Sequence, residues 1–230
     1  MRVGIRTAVV LALVAIGVAV AAPPARAVPA GSFTSAHGSI SFDLTGSTLT
    51  KTVSNVDNSI TVLNDVITGF QITFSTSETV ALTSGTAPGT ATCTGPAGSV
   101  TCTTSNVAVN PLASPFDWAV VATGGTTETL EAGSGALHPG GIVNASIVTN
   151  PGDGLGNAQH NPFLLGPVTF VQTLSNPNVT ITGVTFLLGT EGIPETGRPP
   201  GVPEPATLLL LGFALAGVAG AARWRHRSSD

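Results

Sequence analysis

The side chains able to do chemistry in this sequence are few and widely spaced. Glu204 stands between Pro203 and Pro205, Cys93 and Cys102 flank Gly95-Pro96-Ala97-Gly98, and Asp153, Asn157 and His160 share one polar stretch from Asn150 to Phe170. A proline fixes its own φ and pushes the preceding residue toward extended conformations, so Glu204 is offered on a stiff, non-helical segment that suits a protease cleft. The cysteines lie on either side of a turn signal in Thr-rich sequence, with no nearby histidine or basic residue to lower a thiol pKa. In an exported chain this predicts a disulfide, a metal or catalytic pair being the lesser reading.

Other combinations are poorer. Asp153 with Asn150 and Asn157 offers oxygen ligands to calcium, but one carboxylate is thin for a hard dication. His37, His138 and His160 lack the spacing of zinc ligands and could share an ion only if the fold gathered them, so no metal site is expected. The chain has no Gly-x-Ser-x-Gly elbow and no His-Glu-x-x-His pair. Its single lysine, Lys51, follows Thr48-Leu49-Thr50 rather than a glycine run, and Gly152, Gly154 and Gly156 lack the strand-to-helix context of a dinucleotide site. The expectation is a protein that is not an enzyme and needs no cofactor.

The two ends carry clearer signals. Arg2 and Arg6 precede an uncharged run from Thr7 to Ala22, which Pro23 and Pro24 break before Ala25-Arg26-Ala27. This is the pattern of a signal peptide over residues 1–27, read by the general secretion machinery and cut by signal peptidase after Ala27, with Ala25 and Ala27 in its small subsites. At the far end, residues 206–222 carry no charged side chain and would span about 26 Å as a helix, close to a hydrocarbon core of about 30 Å. Apolar residues lie all round this helix, Trp224 suits the interface, and Arg223, Arg225 and Arg227 form the positive stop expected on the cytoplasmic side. A transmembrane helix over 206–222 is therefore expected.

Taken in order, Val202-Pro203-Glu204-Pro205, the apolar run and the arginine-rich end resemble the PEP-CTERM sorting signal, and the resemblance covers Val202 to Asp230. It implies processing by an exosortase, an integral-membrane cysteine transpeptidase that cuts near Pro203-Glu204-Pro205 and passes the protein to the surface. It also implies a host with an outer membrane that makes exopolysaccharide or biofilm matrix. The segment His160-Asn161-Pro162-Phe163 more weakly resembles an element that precedes a strand in some exosortase-dependent surface proteins. As a plain turn, Asn161 or His160 would satisfy loop amides and Phe163 would plug a sheet edge.

Between the ends, residues 28–190 are of single-domain size, large enough to bury a core. Only 9% of the chain is charged, against about 25% in ordinary soluble proteins, and the middle is rich in Gly, Thr, Ser and Val, which favours strands and turns. Between Val28 and Pro205 only Lys51 and Arg198 are basic, against eleven acids, so nucleic acid is excluded as a partner. Alternation of apolar and polar residues predicts strands at Ser39–Leu44, Ser59–Leu63, Gly69–Phe74, Glu78–Leu82, Ser99–Thr103, Asp117–Val121, Ile142–Val148, Pro167–Leu174 and Asn178–Leu188. Many short strands with one apolar face each predict an all-β, antiparallel β-sandwich, with Ig-like topology favoured and Phe42, Phe70, Phe74, Phe170 and Phe186 in the core. Residues 191–202, with four prolines between Glu191 and Pro203, read as an extended linker ahead of the sorting segment 203–230.

The expected protein is thus exported through the inner membrane, held there transiently by its C-terminal helix, and delivered to the cell surface or matrix. Its expected role is structural, possible contact with exopolysaccharide included. A carbohydrate- or calcium-binding module built on the loop containing Asp153, Asn157 and His160 is the alternative.

Overall fold

The computed structural model describes residues 31–133, 139–149 and 151–200. The expected signal peptide, the apolar run at 206–222 and the Pro-Glu-Pro segment lie outside the described residues, as do His138 and Asn150. No helix among the described residues is long and apolar enough to cross a membrane.

The chain folds as strands: β1 Ser32–Thr34, β2 Gly38–Thr45, β3 Thr48–Asn55, β4 Ile67–Phe74, β5 Val80–Thr86, β6 Gly89–Thr94 and β7 Thr101–Ser105 come first. They are followed by β8 Ala119–Gly124, β9 Thr127–Glu131, β10 Ile142–Val143, β11 Phe163–Leu165, β12 Val168–Leu174, β13 Ile181–Leu188 and β14 Ile193–Gly197. One sheet has the order β1-β2-β3-β12-β5. The other runs β14-β13-β4-β10-β11-β6-β7 and forks at β4, which pairs along most of its length with β9, itself paired to β8.

Period-two burial explains the first sheet. In β3 Leu49, Lys51, Val53 and Asn55 point inward, and in β12 Val168, Phe170, Gln172 and Leu174 do the same. Apart from Val171, the opposite faces carry Thr and Ser, which are less buried. Hairpin turns set the register where they are tight: Thr45 faces Thr48 across a two-residue turn in which Gly46 takes a φ of 60°, a region that costs glycine nothing.

Facing residues of the two sheets close one core. Phe70 of β4, Phe170 of β12 and Trp118 stack with centroids 5.0 to 6.1 Å apart, and Ile40, Leu49, Val53, Ile72, Leu130 and Phe186 pack around them. The five phenylalanines expected in the core are all buried there. The Trp118 indole N–H donates to the Gly140 carbonyl over 2.8 Å, so the large ring brings no unsatisfied polar group inside.

A second core lies on the other side of the β10-β11-β6-β7 part of the larger sheet. Ile142 and Leu164 face the first core, whereas Val143, Phe163 and Leu165 join Ile60, Ala91, Ile147 and Leu155 under a cover of short 3-10 turns. Strands buried on both faces lose their alternation. This is why Phe163–Leu165 reads as a loop in the sequence yet forms an interior strand, between β10 and β6. Phe163 therefore does not plug a sheet edge.

Other expectations also need correction. The β10–β11 pair is parallel, so the larger sheet is mixed, and the β1-β2-β3 meander beside β12 departs from an Ig-like strand order. Ser59–Leu63 forms no strand; its chain leads into a 3-10 turn at Leu63–Asp65, with Ile60 buried. The expected strand from Ile142 stops at Val143, because the Asn144 side chain accepts from the Ser146 amide and starts a 3-10 turn over Ala145–Val148. The Pro/Gly-rich segment is not all linker: Ile193–Gly197 pairs with β13, and the Arg198 amide and carbonyl bond Thr34 at 2.7 and 2.8 Å.

Cys93 and Cys102 sit opposite each other in the β6–β7 ladder and form the expected disulfide. Closing so short a loop predicts a loss of about 2–3 kcal/mol in unfolding free energy when both cysteines are changed to Ser, measured by denaturant titration. Phe70→Ala, which empties the centre of the first core, is expected to cost about 3–5 kcal/mol in the same assay.

Candidate functional site

The loop singled out by its polar residues is built as a fastening. Asp153 accepts from the Gly98 amide at 2.6 Å, at the tip of the disulfide-bonded hairpin. Asn157 starts a 3-10 turn by accepting from the Gln159 amide. Asn161 accepts from the Cys93 amide at 2.6 Å and donates to the carbonyls of Leu155 and Asn157. The amide-satisfying role expected of Asn161 is what the structure shows. His160 is buried, and that desolvation pushes its pKa down from the ordinary imidazole value. Asp153, Asn157 and His160 thus face separate tasks.

His160 does border a groove of about 430 Å³ on the outer face of the larger sheet. Thr68 and Gln71 of β4, Thr129 and Glu131 of β9, and Glu191 in the β13–β14 turn line it. Within it Gln71 donates to Thr129 over 3.3 Å, and Thr68 is bonded to the Gly189 carbonyl. Hydroxyls, amide and carboxylates on one concave face can exchange hydrogen bonds with a polyhydroxylated ligand.

A charged group joins three distant segments at one end of the smaller sheet. His37 Nδ1 lies 3.1 Å from Glu195 Oε2 on β14, while Nε2 lies 3.6 Å from Asp57 and 3.7 Å from Asp65 in the loop after β3. The second oxygens of the two aspartates are engaged by backbone amides, Asp57 by Ser59 and Asp65 by Thr61 and Val62. Among the described residues, His37, Asp57 and Asp65 are the group whose donor atoms converge closely enough for a metal ion. Burial alone would raise the Glu195 carboxyl, but hydrogen bonds from Ser35, His37 and the Ala36 amide, with the charge of His37, hold it below its ordinary value.

The core contains a network that no local pattern announced. Lys51 of β3, Glu128 of β9 and Gln172 of β12 are 0%, 1% and 0% exposed. Lys51 Nζ donates to Glu128 Oε1 at 2.8 Å and Gln172 Nε2 donates to Oε2 at 3.0 Å, so one carboxylate receives two side chains from the opposite sheet. Nζ also lies 5.4 Å from the centre of the Phe70 ring. Burial lowers the Lys51 pKa, while the charge and hydrogen bond of Glu128 oppose that shift. The only sequence signal was an isolated lysine inside a strand whose alternate positions, Leu49 and Val53, are apolar.

The Glu195 clasp generates a pH test. A carboxyl held below its unfolded value adds stability that is complete above that value, near 4.5, and is lost as pH falls through the folded pKa. Glu195→Gln should lower the melting temperature at neutral pH and make progressively less difference below about pH 4.5. Equal differences at both pH values would remove the ionised carboxylate from the account.

The tail completes the picture. Arg198, bonded to Thr34, precedes Pro203-Glu204-Pro205 by a few residues in the sequence. No curated protein and no solved structure matches the chain. Residues 201–226 match the PEP-CTERM protein-sorting motif, which takes in Pro203, Glu204, Pro205, the apolar run, Arg223 and Arg225; Arg227 follows directly after the matched span. The chain therefore carries the PEP-CTERM sorting signal of an exported, exosortase-targeted surface protein.

Proposed function

We propose that the protein is a non-enzymatic structural component of the cell surface or extracellular matrix, held in the inner membrane by its C-terminal helix until an exosortase cuts near Pro203-Glu204-Pro205. The observation that carries this reading is the sorting motif at residues 201–226 placed directly after a folded, disulfide-bonded β domain. The disulfide suits an oxidising compartment. The acidic, lysine-poor body suits a role other than binding anionic polymers, so contact with exopolysaccharide would rest on neutral sugars.

In this reading residues 1–27 direct export and are removed after Ala27, and Arg223, Arg225 and Arg227 keep the far end in the cytoplasm. Glu204 then lies just outside the bilayer, with its flanking prolines keeping the backbone extended for the transpeptidase.

Glu204→Ala is expected to leave export and folding intact while stopping removal of the C-terminal helix, so that the unprocessed form accumulates in the inner membrane. Equal processing of variant and parent, seen by immunoblotting of fractionated membranes, would defeat the reading. A second reading, a glycan-binding module, is favoured by the groove lined by Gln71, Glu131 and Glu191. It expects neutral oligosaccharides to raise the melting temperature of the parent and not of Gln71→Ala, and no shift across a neutral-glycan set ends it.

A further inference from the structure

Lys51, Glu128 and Gln172 have the composition and the placement of a self-acylating centre. An amine, a carboxylate able to carry a proton and a carboxamide meet in a site closed to water, each side chain at most 1% exposed. Lys51 and Gln172 lie on neighbouring antiparallel strands, Lys51 opposite Phe170 and Gln172 opposite Leu49. They are thus a diagonal pair on one face, about 7–8 Å apart at their roots and within reach for two long side chains. Both end on the same carboxylate, at 2.8 and 3.0 Å on its two oxygens. Phe70, Phe170 and Trp118 wall the site with aromatic rings.

One polar atom in this network is out of place. Gln172 Oε1 is buried without a partner, a defect that ordinarily costs about 1–3 kcal/mol. Moving one proton from Lys51 to Glu128 and turning the Gln172 amide over gives that oxygen a partner and leaves Nε2, the leaving group, in the place it held. The protonated Glu128 oxygen then donates to Gln172 Oε1, the amide carbonyl is polarised, and Lys51 is left as a neutral amine. Desolvation, which lowers the Lys51 pKa, favours the same proton transfer, because a neutral acid and amine are cheaper to bury than two ions.

We propose that the folded protein joins Lys51 to Gln172 through an intramolecular isopeptide bond, with Glu128 as the proton carrier. Lys51 Nζ attacks Gln172 Cδ, forming the Nζ–Cδ bond and a tetrahedral centre whose oxygen Glu128 stabilises. Glu128 relays one hydrogen from Nζ to Nε2, the Cδ–Nε2 bond breaks, and Nε2 leaves as ammonia. Of the three hydrogens on the original ammonium, one remains on the new amide, one leaves in the ammonia and one stays on Glu128 or departs with the ammonia as ammonium. No oxidant, metal or second protein takes part, and each chain reacts once. The product ties β3 to β12 across most of the described sequence and replaces a buried charge with an amide.

The chain offers a direct test, because Lys51 is its only lysine. The full-length protein, expressed with both termini and recovered from its host, is denatured, reduced and digested with a lysine-specific protease. An acylated lysine resists cleavage, so the expected result is no cut after Lys51, an intact mass one ammonia below that of the reduced sequence between the observed termini, and a branched peptide containing Lys51 and Gln172. Quantitative cutting after Lys51, with both peptides recovered unlinked, overturns the proposal. A loss of water instead of ammonia, with Lys51 joined to Glu128, overturns the assignment of Gln172 as acyl donor. Glu128→Gln, close in size, should restore cutting after Lys51; a bond that still forms there removes Glu128 from the proton path. These results stand apart from tail processing, since they hold whichever C-terminus the mature protein has.

Discussion

Two sheets facing each other across one core must solve the problem of Lys51 and Glu128, and the rest of the sandwich is arranged around that solution. Transfer of either ion alone into such surroundings would cost several kcal/mol. The pair is tolerated because β3 and β9 face each other closely enough for a 2.8 Å contact, and because Gln172 occupies the second carboxylate oxygen. Register then follows. Lys51 lies opposite Phe170, and Glu128 lies opposite Ile72, so a one-residue slip of either strand would turn an ion toward water and strand its partner inside. The aromatic stack of Phe70, Trp118 and Phe170 packs against this polar centre and is positioned by the same strands.

The hairpin and loop at the other core work by covalent and hydrogen-bonded closure. There the larger sheet has apolar residues on both faces, and the second face is covered by short 3-10 turns with little regular structure of their own. Such a cover has to be tied down at points. Asp153 holds the turn at Gly98, Asn161 holds the chain at Cys93, and the disulfide joins β6 to β7 beneath them. Gly95, at a φ of 123°, lets the hairpin turn reach that loop with a backbone few other residues adopt.

What could be read in advance followed from how local each signal is. Phe42, Phe70, Phe74, Phe170 and Phe186 were legible as core because their strands hide one face and wet the other. β10 and β11 were not, since burial on both faces erases the period-two pattern. β3 was masked because Lys51 and Asn55, polar residues, occupy inward positions. β14 was hidden by Pro194, which is tolerated there because the strand lies at a sheet edge. The disulfide was legible from two cysteines around a turn, and the sorting tail from a contiguous motif. The buried triad and the His37 clasp were not, because Glu128 meets Lys51 and Gln172 across 77 and 44 residues and His37 meets Glu195 across 158, through strand pairing that no stretch of sequence encodes.

The molecule therefore divides into a body that organises charge internally and a tail that addresses it. The body buries Lys51 against Glu128, gathers Asp57, Asp65 and Glu195 around His37 and exposes Thr and Ser, while the tail places one acid between two prolines ahead of an apolar run and a basic end. The central claim is that this tail is temporary. Mass spectrometric mapping of the C-terminus of the protein recovered from its own cell surface tests it most directly. The account predicts a terminus near Pro203-Glu204-Pro205 with the apolar run gone, and a surface form that still ends at Asp230 would contradict it.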